Sequence, residues 1–169
     1  PRGKPGVDTL TIIREYSLPD QFPEEVLESA RQQAEQFDPA QSDNRKDLTG
    51  QTIITIDPAD ARDYDYAISL ESTDNGHWRL GVHIADVTAF VPAHSPLDIE
   101  ARARGTSVYL PDRVIPMLPE IISNHLASLQ PDKIRYAKTV FLEYTADGVR
   151  VDTEVLCSSI KSVHRFNYR

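Results

Sequence analysis

The sequence predicts a mixed α+β domain, a largely antiparallel sheet with flanking helices, and three observations carry that reading. Two pairs of β-rich runs face each other across Asn75-Gly76 and Asp147-Gly148, dipeptides that close tight hairpins and make antiparallel neighbours. Two other segments, after Pro23 and after Ser95-Pro96, combine helix-start signals with helical spacing of their apolar residues. A chain of 169 residues, 40% apolar and 26% charged, has material for one compact core with at most an appended segment.

Along the chain, Leu10 to Ile13 is a short apolar run after Gly3, Pro5 and Gly6, and it predicts a strand leaving a loop. Pro23 and the EEVLESARQQAEQF that follows predict a helix, with acids in the first turn and Val26, Leu27, Ala30 and Ala34 at helical spacing. Residues 38–50 are polar and turn-rich, the best linker candidate. Thr52 to Ile56 is a β-branched strand ending on Asp57-Pro58. Tyr66–Leu70 and Trp78–Ile84 form the first hairpin. In its second strand Trp78, Leu80, Val82 and Ile84 alternate with Arg79, Gly81 and His83, so one face should be buried. Ser95-Pro96 starts a helix that stops at Gly105, residues 118–129 hold a second short helix, and Thr139–Tyr144 with Val149–Leu156 make the second hairpin. No internal repeat or low-complexity tract is present.

Charge excludes several classes. With 18 basic and 26 acidic residues the net charge is -8, so bulk charge does not make this a non-specific nucleic-acid binder. The imbalance is uneven. Residues 1–50 carry 6 basic and 10 acidic residues, whereas 101–138 carry 6 basic against 3 acidic, and 161–169 add Lys161, Arg165 and Arg169 with no acid. A basic half facing an acidic cluster suits a channel for a phosphodiester backbone, although for any single one of these residues a solvated helix face is the better reading. A single cysteine, Cys157, excludes a disulfide framework and a zinc site built on several thiolates. No apolar run approaches the ~20 residues of a bilayer crossing, and Pro1-Arg2-Gly3-Lys4 is not a secretory signal. The expectation is an acidic, soluble, cytoplasmic piece of a longer chain, with no membrane partner.

The chemistry concentrates in Asp57-Pro-Ala-Asp60-Ala-Arg62-Asp63-Tyr64-Asp65-Tyr66, directly after an apolar strand. Four carboxylates in nine residues would repel one another at one site without a cation. Such oxygen-rich sets suit Mg²⁺ or Mn²⁺. Solvated loop acids beside Arg62 are the alternative, and an EF-hand is excluded because the turn glycine and the twelfth-position Glu are missing. Histidines 77, 83, 94, 125 and 164 do not fall at metal-ligand spacing. His83 reads as a satisfied strand histidine, and no elbow motif supports a serine nucleophile.

The cluster resembles the metal-binding motif of the ribonuclease II / ribonuclease R (RNB-domain) family, roughly T-I-D-x-x-D-A-R-D-F-D-D-A. Arg45-Lys46-Asp47-Leu48-Thr49 is similar to the family's lead-in, Gly81 to Val87 to its central strand, and Gly105–Pro119 with Ser123-Asn124 and Ser128-Leu129 to its most distinctive run. Arg2–Gln36 resembles the segment joining the preceding cold-shock domain to the catalytic domain. The resemblance covers nearly the whole chain and lies nearer the ribonuclease R branch. It implies two parts: residues 1–44 as the end of a cold-shock (OB-like) domain with a linker helix, and 45–169 as the N-terminal part of an RNB catalytic domain, truncated.

What the resemblance implies is a 3′→5′ exoribonuclease that hydrolyses RNA to nucleoside 5′-monophosphates with Mg²⁺, Mn²⁺ being the other candidate. Carried over by position, Asp57, Asp63 and Asp65 are the metal and catalytic aspartates, and Tyr66 occupies the place of the fourth. A phenol, with a reference pKa of about 10, is no carboxylate at neutral pH. The alternative reading is therefore a catalytically degenerate RNB domain that binds RNA or protein. Tyr109, in the Y-L-P run, matches the aromatic that stacks on a base near the RNA 3′ end; stacking on a π-face suits any sequence. Burial of Tyr109 between Val108 and Leu110 is the alternative. Ala127 stands where the family has Cys, a small-for-small change. The implied partners are a single-stranded RNA 3′ end, the remaining half of the RNB domain, and flanking cold-shock and S1 domains.

Overall fold

The structure, a computed structural model, describes residues 7–41, 44–59, 61 and 63–168. The Gly3–Gly6 loop, Asp60 and Arg62 lie outside the described residues. The described elements run α1 (Val7–Glu15), α2 (Glu24–Gln36), β1 (Lys46–Asp47), β2 (Ile53–Asp57), β3 (Tyr66–Ser72), β4 (Trp78–Ala85), α3 (Pro96–Arg104), β5 (Val108–Tyr109), β6 (Val114–Ile115), β7 (Ile134–Tyr144) and β8 (Arg150–Asn167). A short 3-10 turn covers Val87–Ala89 and a wide, π-type helical turn covers Ile121–Leu126. No described helix is long and apolar enough to cross a membrane.

The first element corrects the sequence reading. Leu10–Ile13 lies in a helix, not a strand. β-branched residues favour a strand there, but packing decides: Thr9 and Ile13, four apart, are buried together while Leu10 stays exposed, a helical and not an alternating pattern. The other two helices follow their signals. α2 starts just after Pro23 and buries Val26 and Ala30. Ser95 caps α3, its Oγ accepting from the Asp98 amide at 3.2 Å, and Gly105 ends the helix at φ 73°.

Strands β3, β4, β7 and β8 pair antiparallel in sequence order, as the two hairpins require. The 18 residues of β8 do double service. Its first part pairs with β7, and its end, Ser162–Asn167, pairs in parallel with β2, which is itself antiparallel to β3. The pairing therefore returns on itself: β2 lies between β3, which it meets at Ile54, and the end of β8, which it follows to Asp57. Arg45 ties β1 on: its guanidinium meets Asp86 at 2.7 Å and lies over the Tyr136 ring at 4.1 Å. Burial pushes the Asp86 carboxyl up, but hydrogen bonds from Thr88 and Arg45 and the charges of Arg45 and Lys138 outweigh it and hold it below its ordinary range.

One face of the sheet carries the core. Ile53, Ala67, Ala85, Ala137 and Ile160 pack against Val26 and Ala30 of α2, Leu97 of α3 and Ile122 of the π-type turn. The same face holds a buried polar chain: Ser69 Oγ to His83 Nε2 at 3.0 Å, His83 Nδ1 to Thr139 Oγ1 at 2.8 Å, and Thr139 Oγ1 to Ser158 Oγ at 2.6 Å. His83 is thus a satisfied core histidine. Burial pushes its imidazole down to about 4, so it is neutral.

One face of β4 is buried, as its alternation requires, and it is not the apolar one. Gly81, His83 and Ala85 are its buried residues, while Trp78 and Ile84 are 48% and 39% exposed. Register makes the apolar residues continuous across strands. Ile54 opposes Ile68, Ile68 opposes Val82, Val82 opposes Val140, and Val140 opposes Val155. A second row joins Leu70, Leu80 and Leu142. Alternation in β4 was legible, but the helices pack against the small and polar side of the sheet. This leaves the aliphatic side open.

Candidate functional site

The acidic loop runs from the tip of β2 to the start of β3, and four anchors shape it. Arg165 of β8, in register with Thr55, donates from its guanidinium to the carbonyls of Pro58 at 2.6 Å and Ala59 at 3.1 Å. The same guanidinium lies 4.7 Å from the centre of the Tyr64 ring. Tyr64 is also pinned through its backbone: its amide donates to Ser128 Oγ at 3.1 Å, and its carbonyl accepts from the Leu129 amide at 2.9 Å. The Asp65 carbonyl accepts from the Ala85 amide at 2.9 Å. Arg135 in turn donates to the Ser128 carbonyl at 3.0 Å, and burial pushes its guanidinium down from the ordinary arginine range.

These anchors set the carboxylates near one another. Asp57 ends β2, and its Oδ2 is buried without a hydrogen-bond partner in the structure. Asp65 is pushed up from the ordinary carboxylate range, first by burial of its carboxyl and then by the charges of Asp63 and Asp57. Because Asp65 is an exposed residue overall, solvent screens part of that effect. No three described His, Cys, Asp or Glu side chains converge closely enough to hold a metal ion; Asp60 is outside the described residues. The donor set still suits a hard cation. It is all oxygen, it gathers like charges, and one buried oxygen of Asp57 has nothing to bond.

Tyr109 joins this group from far along the chain. It sits in the two-stranded β5–β6 ribbon, is 70% exposed, and lies near Asp63. The charge of Asp63 first, then burial and the charge of Asp65, push its phenol above the ordinary value. The alternative of a buried Tyr109 is excluded. Tyr66 stands apart: it is 63% exposed, opposes Ile84 in the ladder, and belongs to the open apolar face.

Sequence reasoning missed the parts that hold the loop. Arg165 and Arg135 appeared only in charge counts, yet Arg135 is committed to a carbonyl, as is Arg104, which donates to Pro19 at 2.7 Å, Gln21 at 2.6 Å and Pro116 at 3.1 Å. Two of the six basic residues between 101 and 138 are therefore structural. Beside the loop an open groove of about 290 Å³ is lined by Ala61, Tyr64, Glu120, Asn124, His125 and Gln130. Of the residues singled out in the sequence, Asn124 lines it.

A family model described as the RNB domain matches residues 45–169. The chain belongs to the RNB-domain family. Ribonuclease R of Thermotoga maritima is 45% identical to it over 166 residues, 97% of this chain and 23% of that protein. Among solved structures, Mycoplasma genitalium RNase R in complex with ribose-methylated single-stranded RNA superposes with a TM-score of 0.87 at 32% identity, covering 95% of this chain and 25% of that one. Yeast Ssd1, described as a pseudonuclease, superposes with a TM-score of 0.68 at 25% identity over 73% of this chain and 15% of its own. The chain thus spans roughly a fifth to a quarter of the length of the ribonuclease R relatives it matches. The mixed α+β fold with a mostly antiparallel sheet is that of ribonuclease R.

Proposed function

We propose that this RNB-family chain is the N-terminal part of the catalytic domain of a cytoplasmic 3′→5′ exoribonuclease, hydrolysing single-stranded RNA from its 3′ end to nucleoside 5′-monophosphates. In this reading residues 1–44 belong to the end of a cold-shock domain and its linker, and further S1-type and RNB segments complete the protein. The observation that carries it is the buried, unpartnered Oδ2 of Asp57 at the start of an aspartate-rich loop that Arg165, Ser128 and Leu129 hold in place, with the exposed Tyr109 near Asp63. Residues widely separated in sequence thereby form one acidic corner with an exposed aromatic ring at its edge.

In that corner Asp57, Asp63 and Asp65 would hold Mg²⁺ or Mn²⁺. When bound, the ion supplies positive charge for the scissile phosphate and its attacking and leaving oxygens. The rest is done by the chain itself. Tyr109, exposed beside Asp63, offers its ring to a terminal base. Arg165 holds the loop backbone, so the aspartates keep their spacing while RNA passes.

A second reading is favoured by Tyr66. It stands where the family motif has a fourth aspartate, and its ring lies on the open apolar face. The chain would then be a degenerate site that binds RNA or protein without cutting. Titrating the 169-residue chain with Mn²⁺ tests the ligands: one site is expected, weakened at least tenfold in Asp57→Asn and in Asp65→Asn. The two readings separate in a full-length chimaera, with this chain replacing the matched segment of Thermotoga maritima ribonuclease R. If Tyr66→Asp is required for Mg²⁺-dependent nucleotide release from a 3′ end, the unmodified site is degenerate. Release by the unmodified chimaera at the parent's rate removes that reading.

A further inference from the structure

The ribbon that carries Tyr109 has little to hold it along its length. From Val108 to Ile115 only Ile115 is buried, and Tyr109 pairs with Val114, itself 48% exposed. The tip is closed by the Leu110 amide on the Arg113 carbonyl at 2.8 Å, and the root by the Met117 amide on Ser107 Oγ at 3.0 Å. A ribbon of this kind takes its direction from its root, and Arg104 stands there. It is the last residue of α3, and Gly105, at φ 73°, turns the chain from it into the ribbon. Its side chain is 3% exposed. Nε donates to Glu100 at 2.8 Å. One terminal nitrogen donates to the Pro116 carbonyl at 3.1 Å, where the ribbon returns, and to the Pro19 carbonyl at 2.7 Å. The other donates to the Gln21 carbonyl at 2.6 Å, and the guanidinium carbon lies 3.7 Å from the centre of the Phe22 ring.

We propose that Arg104 is a positioning residue: it locks the root of the β5–β6 ribbon to the connector between α1 and α2, and so fixes Tyr109 beside the acidic loop for the terminal base of an RNA. The proposal rests on the reading of Tyr109 given above. A simple cap of α3 would bond carbonyls of α3, whereas the three carbonyls that Arg104 binds belong to the connector and to the returning ribbon. The connector lies outside the residues 45–169 that match the RNB model, so a segment before the matched part sets the geometry inside it. Chemistry requires arginine here. A planar fork donates in several fixed directions at once, while a lysine ammonium is a single point and cannot serve Glu100, Pro116 and the connector together. Tyr109 is five residues beyond Arg104, and its partner Val114 is two before Pro116, so a shift at the root reaches the ring directly. Small displacements of a positioning group carry large losses in binding and rate.

Arg104→Lys keeps the charge and removes the fork. In the 169-residue chain, amide exchange at Leu110 and Met117 is expected to quicken at least about tenfold, with Ala85 in the sheet unchanged. Unchanged exchange at both ribbon amides overturns the clamp. The link to RNA is read in the Thermotoga maritima chimaera, as the Kd for a single-stranded oligoadenylate with EDTA present so that nothing is cut. Arg104→Lys and Tyr109→Ala are each expected to raise it at least about fivefold, and the double variant to bind no more weakly than Tyr109→Ala, because both act through one ring. Two results overturn the proposal and leave the nuclease reading standing: additive losses, or parent-like binding by Arg104→Lys where Tyr109→Ala is weakened. If Tyr109→Ala binds as tightly as the parent, the reading of Tyr109 fails and takes the proposal with it. Should Arg104→Lys not fold, Ser107→Ala tests the same clamp. With Arg104 intact, losing the Ser107 tie is expected to change the Kd by less than about twofold, and a larger loss would show that Ser107, not Arg104, holds the root.

Discussion

The two faces of one sheet obey opposite rules. The face under the helices sets small and polar residues, Ala67, His83, Ala85, Ala137, Thr139 and Ser158, among a few large ones, Ile53, Phe141 and Ile160, and it is buried. The other is built from isoleucine, leucine, valine and tryptophan, and much of it meets solvent. Burial here follows what lies on top of a strand, not the hydropathy of the strand. On the helix side, small residues share one core with side chains of α2 and α3, and the hydroxyls and imidazole pair among themselves. Gly81 shows how tight this side is: a Cβ there would stand 2.3 Å from Ser69 Oγ and 2.9 Å from His83 Nε2.

The contrast breaks if truncation costs the same on both faces. Phe141 is 2% exposed on the buried side, edge-on to His83 with ring centroids 6.1 Å apart, and covered by the Arg79 guanidinium at 3.9 Å. Phe141→Ala is expected to destabilise the chain by about 3–5 kcal/mol in urea unfolding. Leu70→Ala, on the open side, should stay within about 0.5 kcal/mol in the same measurement. Comparable losses would mean that the open face is covered within this chain.

The polar chain on the buried side gives a pH signature the open side lacks. His83 titrates near 6.5 unfolded and at about 4 folded, so the folded state binds its proton less readily. Its contribution to stability is fully present above about pH 6.5 and is lost as the pH falls towards 4, by an amount on the order of 3 kcal/mol. His83→Gln removes that slope. Urea midpoints at pH 7, 5.5 and 4 should fall more steeply in the parent chain than in the variant, and parallel lines would refute a neutral buried imidazole.

How much of this was legible depends on where each signal resides. Hairpins at Asn75-Gly76 and Asp147-Gly148, and α3 between Ser95 and Gly105, were readable because turn and cap chemistry is local. Leu10–Ile13 was misread because β propensity is a weak prior beside the packing of Thr9 and Ile13. The alternation of β4 showed that one face is buried but not which, since no strand sequence says which face its neighbours cover. At the candidate site the aspartates were plain in the motif. Arg165 was not: its partners are backbone carbonyls more than a hundred residues away, which leave no trace in side-chain identity.

Neighbours on β8 sharpen the comparison at the smallest scale. His164 and Phe166 lie on the open side and contact each other, ring centroids 4.6 Å apart, whereas Arg165 between them turns under the acidic loop. Its Nε is buried without a hydrogen-bond partner while the rest of the guanidinium holds the Pro58 and Ala59 carbonyls. Arg165→Ala frees both carbonyls and the underside of Tyr64, so a loss of about 1–2 kcal/mol is expected. Phe166→Ala should cost less than half as much in the isolated chain, because its ring already meets water. The loop also distinguishes the two. Amide exchange at Ala61 and Asp63 should quicken in Arg165→Ala and stay unchanged in Phe166→Ala, since only the arginine bonds the loop backbone. Equal protection in the two variants would show that Ser128 and Leu129 hold the loop without Arg165.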